Sequence, residues 1–177
     1  IFRESHILYS APHFIVRDVY NFLAEKSLSK IKVLTAMEKN NEGFIALIFP
    51  FLHPLIIPKG RFVYRSGTYG RAMYFVVRGE CEIVRPEGYN SESARRTYGV
   101  GDHFGQVSLI IPDAIQYKHL NGARAVQDTT LISLKRKTLF YLRELSDRSM
   151  SIFLKSVSAD INIEDEVIVK PASCIDD

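Results

Sequence analysis

In "PKGRFVYRSGTYGRAMYFVVRGECEIV", Pro58 to Val84, β-branched and aromatic runs are short and are broken by Lys59-Gly60, Ser66-Gly67, Tyr69-Gly70 and Arg78-Gly79. Glycine supplies the backbone freedom that tight turns need, so each pair reads as a corner between strands. Strands this short, set this close, predict an antiparallel barrel or jelly roll.

The pattern changes on either side of this stretch. Downstream, "RPEGYNSESARRTYG", Arg85 to Gly99, reads as an exposed hairpin loop, and "ARAVQDTTLISLKR" as another pair of short strands. After Lys135 the spacing of Leu139, Leu142, Leu145, Phe153 and Val157 is helical. Upstream, Phe14, Ile15, Val19, Phe22, Leu23 and Leu28 recur at three- and four-residue steps, with Pro12 near the first turn of that helix. A second helical stretch through "NEGFIALIFPFL" is expected to stop near Pro54. The fold class expected is therefore α+β: an antiparallel β-roll over about 55–134, N-terminal helices before it, C-terminal helices over about 135–160, and a tail with one short strand at 161–169.

Composition narrows the function classes. The 177 residues are 46% hydrophobic, enough for a real core, and the charge of +3 is spread without a long single-sign run, so no nucleic-acid partner is expected. Cys81 and Cys174 lie far apart and outside any metal spacing, and read as idle thiols. The most apolar segment, Phe44 to Pro58, is interrupted by Pro50, His53 and Pro54 and falls short of the roughly 18 apolar residues a bilayer span needs, so no membrane insertion of this chain is expected. A start without methionine or a signal-like segment reads as a piece of a longer protein. The five histidines have no metal spacing and Ser108 has no evident base, so neither a metal nor catalysis is expected.

The order of these pieces resembles the cyclic-nucleotide-binding domain. Pro58 to Val84 looks like its opening strands, "VGDHFGQVSLI" like its phosphate-binding cassette, and "ARAVQDTTLISLKRKTLFYL" like its closing strands and first C-terminal helix. The lead-in "HILYSAPHFIVRDVYNFLAEKSLSKIKVL" is similar to the end of the C-linker of ion channels, which kinase regulatory subunits and bacterial transcription factors lack. The resemblance thus divides the chain into linker helices at 1–34, a cyclic-nucleotide-binding homology domain at 35–170 and a tail at 171–177. "FLKSVSADINIED" resembles the ether-à-go-go (KCNH) class of voltage-gated potassium channels, in which a triplet, here Ile161-Asn162-Ile163, folds back as an intrinsic ligand. Ile161 stands where that class usually has an aromatic residue. The class implies a cytosolic domain of a plasma-membrane protein. Its partners would be the other subunits of a homo- or heterotetramer, met through the N-terminal helices, and the pore domain. A receptor of the CNG/HCN type, a sperm-type Na⁺/H⁺ exchanger and a soluble interaction module remain as alternatives.

The only cofactor the resemblance implies is cAMP or cGMP. It places the ligand pocket at Phe104, Gly105, Gln106, Val107, Ser108, Lys118, His119 and Leu120. A cyclic phosphate wants backbone N–H groups at a helix start and a cation, and Gly105 would let backbone come close. Gln106 holds the place of the glutamate that binds the ribose hydroxyl, and as a neutral acceptor it is the weaker partner; an exposed cap is its bland reading. Counting back from "ARA" puts His119 where the arginine is expected, with Lys118 as a substitute point charge and Leu120 in place of a hydroxyl. An imidazole mostly neutral near pH 7 does not replace a bidentate guanidinium. Strand alternation should turn Arg124 away from Ala123 and Ala125, out of the pocket. The cradle keeps its shape and has lost its cation, and Ile161 and Ile163 would fill it from within.

Overall fold

The computed structural model describes residues 27–86, 96–111, 117–159 and 161. Helix α1 (Lys32–Asn40) and helix α2 (Phe44–Ile48) lead through a 3₁₀ turn, Phe49–Phe51, into strand β1 (Leu52–Ile57). Glu38 joins the two helices, its carboxylate accepting the N–H groups of Gly43 at 2.8 Å and Ile45 at 2.6 Å where α2 has unsatisfied donors. Helix α1 runs through the boundary drawn after residue 34, and Leu28, Ile31, Leu34 and Met37 share one core.

Strands β2 (Phe62–Tyr64), β3 (Ala72–Arg78), β4 (Cys81–Val84), β5 (Thr97–Tyr98) and β6 (His103–Phe104) follow. A one-turn helix α3 (Val107–Ile110), then β7 (Gly122–Ala125) and β8 (Thr129–Lys135), complete the roll. Two four-stranded antiparallel sheets result, in the orders β1-β8-β3-β6 and β2-β7-β4-β5. The antiparallel roll flanked by helices is the fold class the glycine spacing predicts.

Strand β1 begins at Leu52, so the second helical stretch stops short of Pro54 and the roll starts earlier than residue 55. Pro54 pairs with Ile132 in a strand that is hydrogen-bonded on one side only, and an edge strand tolerates a residue with no N–H to donate. The stretch Arg85 to Gly99 is likewise not loop throughout. Thr97 and Tyr98 pair with Glu82 and Cys81, and Tyr98 is buried. Burial also pushes the Cys81 thiol up to about 11, in keeping with an idle thiol.

Helix α4 (Leu139–Ala159) breaks at Ser146, where φ is −160° and ψ 89°. The Ser146 hydroxyl accepts the N–H of Ser149 at 3.4 Å, the geometry of an N-cap, and such a cap contributes about 1 kcal/mol. The break separates the expected apolar face: Leu139, Leu142, Phe153 and Val157 are buried, whereas Leu145 is 62% exposed. The second half of α4 packs Phe153 on Phe44 with ring centroids 5.3 Å apart. The helices and the outer face of the first sheet thus share one core, and the inside of the roll is another.

Candidate functional site

The cassette sits between β6 and α3. Gly105 has φ +76°, and a Cβ there would meet the Ala72 carbonyl at 3.1 Å and the Tyr74 ring at 3.3 Å, so glycine is required by packing against β3. The N–H groups of Ser108 and Leu109 bond the carbonyls of Gly105 (3.1 Å) and Gln106 (2.9 Å), which folds the segment into a tight turn. Phe104 and Val107 are buried. Gln106, 3% exposed, makes no side-chain cap, so the bland reading of an exposed capping glutamine does not hold. Gln106 Oε1 and Ser108 Oγ are buried without a hydrogen-bond partner among the described residues. An acceptor left so costs about 1–3 kcal/mol, which marks both atoms as places for a ligand or a water.

His119 is built into the roll. The segment before β7 alternates: Tyr117 is buried, Lys118 exposed and His119 4% exposed. Backbone bonds to the Thr68 carbonyl (2.9 Å) and from the Gly67 N–H (2.8 Å) fix it to the turn after β2. Its ring stacks on Tyr64 at 3.7 Å and 13° and meets Tyr117 edge-on at 5.3 Å. Tyr64 also faces Tyr74 and Phe104, and Phe104 faces Tyr98, so rings line the interior from His119 to β5. Burial lowers the His119 pKa to about 4, leaving the imidazole neutral at pH 7.

The same alternation turns Lys118 outward. Its ammonium lies 5.0 Å from the centre of the Tyr69 ring, on the other side of the segment from His119, so the expected substitute charge is not aimed into the roll. Leu120 is half-buried, and its carbonyl accepts the Ser66 hydroxyl at 2.6 Å. Arg124 turns out of the roll, as alternation predicts, and pairs with Glu82 while Ala123 and Ala125 are buried. A cavity of about 480 Å³ that Gln106 lines is bounded by Lys32, Arg96, Tyr98 and Ser156 and includes neither His119 nor Leu120. Ile161 is half-buried beyond α4, its N–H 3.3 Å from the Ser158 carbonyl; Asn162 and Ile163, the rest of the triplet, lie outside the described residues.

Sequence reasoning missed Tyr64 and Tyr117. Tyr117 was within reach, standing two residues before His119 on a strand period. Tyr64 needed the pairing of β2 with β7, which sets it opposite Ala123.

The low His119 pKa has a consequence for stability. An imidazole of ordinary pKa near 6.5 in the unfolded chain and about 4 in the folded one makes the unfolded state bind more protons between those values. Stability from this residue is complete above pH 6.5 and falls as the pH drops toward 4. Melting curves across pH 4–7 should lose more stability in the natural protein than in a His119→Phe variant. Parallel curves would refute it. The comparison with the variant removes His53, whose pKa is lowered in both proteins.

A roll of this topology with a glycine cassette and a β-strand returning from it defines a class. The cyclic nucleotide-binding domain family model matches residues 54–145, and the chain belongs to that family. It is 27% identical over 93 residues to the cyclic AMP receptor protein of Thermus thermophilus, 52% of this chain and 41% of that relative, so it spans about two-fifths of the curated relative's length. Among solved structures it resembles the C-linker/CNBHD of zELK channels crystallized in the presence of cAMP, with TM-score 0.64, 22% identity, and 88% of this chain and 74% of that one covered. A protein from a cyclic-GMP-dependent signalling pathway of bacterial phytopathogenesis matches with TM-score 0.58, 22% identity, and 72% and 97% coverage. The Thermus thermophilus catabolite activator protein matches with TM-score 0.56, 23% identity, and 70% and 56% coverage. At these identities the likeness to solved structures establishes the fold.

Proposed function

We propose that this chain is a regulatory, non-catalytic domain of an ion-channel subunit whose cassette holds no cyclic nucleotide tightly. The observation that carries the reading is His119: where the family resemblance places a phosphate-binding arginine, the chain has a buried neutral ring stacked on Tyr64. Losing a charged bond to a buried anion costs roughly 2–5 kcal/mol, a factor of about 30 to several thousand in affinity. The channel part is supported by the linker-like lead-in and by the likeness to the C-linker/CNBHD of zELK channels, which covers 88% of the chain. In this reading the domain works in a tetrameric, voltage-gated, potassium-type channel, on the cytosolic side of the plasma membrane. Ile161-Asn162-Ile163 acts as intrinsic ligand, and a shift of that segment biases α4, the N-terminal helices and the pore in turn.

A second reading is favoured by one observation. Gln106 Oε1 and Ser108 Oγ are buried acceptors with nothing to accept from among the described residues, and a ribose hydroxyl would satisfy one of them. Calorimetric titration with cAMP and cGMP separates the two. The leading reading expects no saturable heat up to millimolar nucleotide. Micromolar binding lost in Gln106→Leu would establish the receptor reading in its place.

A further inference from the structure

We propose a second ligand site at the open end of the roll, for a small organic phosphate: a phosphomonoester carried on an apolar body. Its lining shares no residue with the cassette, although Ala72 and Tyr74 are also the residues on which Gly105 packs. On the inward face of the first sheet, Val76 pairs with Leu131, Tyr74 with Ser133 and Ala72 with Lys135, while Ser133 pairs on its other side with His53. Toward one end this face is filled by Val76, Leu131, Leu55 and Ile57. Toward the other it opens into a cavity of about 640 Å³ lined by Leu55, Ala72, Tyr74 and Ser133, the range for a drug-sized ligand.

The rim of this cavity is of one sign. Among the described residues, Arg71, Lys135, Arg136 and Lys137 line it with His53, and no carboxylate does. Arg136 is held in place by its bond to the Ile111 carbonyl, while Arg71, Lys135 and Lys137 have no acidic partner among the described residues. Surface lysines are ordinarily solvated and mixed with acids. Here several cations converge on one concavity with an apolar floor, and their mutual repulsion is relieved by an anion between them. His53 already registers that field: burial lowers its pKa, and Lys135 and Lys137 lower it further. A dianionic phosphate beside these cations suits the rim, and Leu55, Ala72 and Tyr74 suit a ring or chain behind it.

The test is an NMR titration of the whole chain with phenyl phosphate and, separately, inorganic phosphate, following His53, Ala72 and Ser133. Saturable shifts at these residues are expected, with the His53 pKa rising toward its ordinary value as the anion offsets the lysines. Phenyl phosphate should bind about tenfold tighter than inorganic phosphate, because the floor buries its ring. Arg71→Gln with Lys137→Gln changes two exposed side chains and should weaken both ligands at least tenfold at unchanged melting temperature. Vesicles of phosphatidic acid form the last arm: binding to them that needs Arg71 and Lys137, with none to phenyl phosphate, assigns the phosphomonoester to a lipid. No saturable shift with any probe, shifts confined to the cassette, or full affinity in the double variant would overturn the site. Because Ala72 also packs on Gly105, a shift there alone does not assign the site; shifts at His53 and Ser133 that the double variant removes do, whether or not the cassette binds a cyclic nucleotide.

Discussion

His119→Arg, with Tyr64→Val to make room for it, is expected to raise affinity for cAMP by about 30-fold to several thousand-fold, from undetectable to micromolar. The natural ring is neutral and clamped on Tyr64, so the roll offers a cyclic phosphate no cation from this position. The guanidinium supplies charge and two donors in the fork that a phosphate matches. Gly105 and the buried Gln106 and Ser108 acceptors are already in place around the turn. Without nucleotide the variant should melt lower than the natural protein, because it buries an unpaired charge and gives up an aromatic stack. Nucleotide should then restore the melting temperature, a rescue that a Tyr64→Val, His119→Gln control does not show. Calorimetry and thermal shift on these three proteins check it. Equal weakness of the arginine and glutamine variants would mean that the missing cation is not what empties the cassette.

The parts of this molecule that were legible in its sequence are those that depend on neighbours along the chain. Glycine pairs at Lys59-Gly60, Ser66-Gly67 and Arg78-Gly79 mark corners whose glycines have positive φ, and the strands between them follow. The outward turn of Arg124 follows from alternation alone. Pro54 was read as a helix stop because the sequence does not reveal that β1 is an edge strand with no ladder to serve on one side. Leu145 was assigned to the buried face because the helical period continues through it. The Ser146-Asp147-Arg148-Ser149 run is a cap that starts a new helical segment and turns Leu145 off that face. At the site, the substitution of histidine for a cation was legible, but its burial was not. That depends on Tyr64, 55 positions earlier, being brought against it by the pairing of β2 and β7. Lys118 was the reverse case, a charge correctly noticed whose direction is set by the same alternation that buries its neighbours.

Phe153→Ala should be the most damaging single truncation in the helical half, costing about 3–5 kcal/mol and roughly 10 °C in melting temperature. Phe153 is fully buried, and its ring rests on Phe44, a contact that helps tie the second half of α4 to the helices that lead into the roll. Leu34, Met37, Ile48, Met150 and Val157 belong to the same core, and a close-packed surround relaxes only in part over the space a lost ring leaves. Ile152→Ala, next along the chain but on the exposed side, should change stability by only about 0.5 kcal/mol. The pair of variants therefore tests orientation as well as burial. It also bears on regulation, because this contact is one of those by which α4 meets the N-terminal helices, beside the Asn41 amide donating to the Ser149 hydroxyl at 2.7 Å. Hydrogen exchange should show protection lost over both the second half of α4 and α2 in Phe153→Ala. Loss restricted to α4 would mean that the two helices are packed side by side without being coupled.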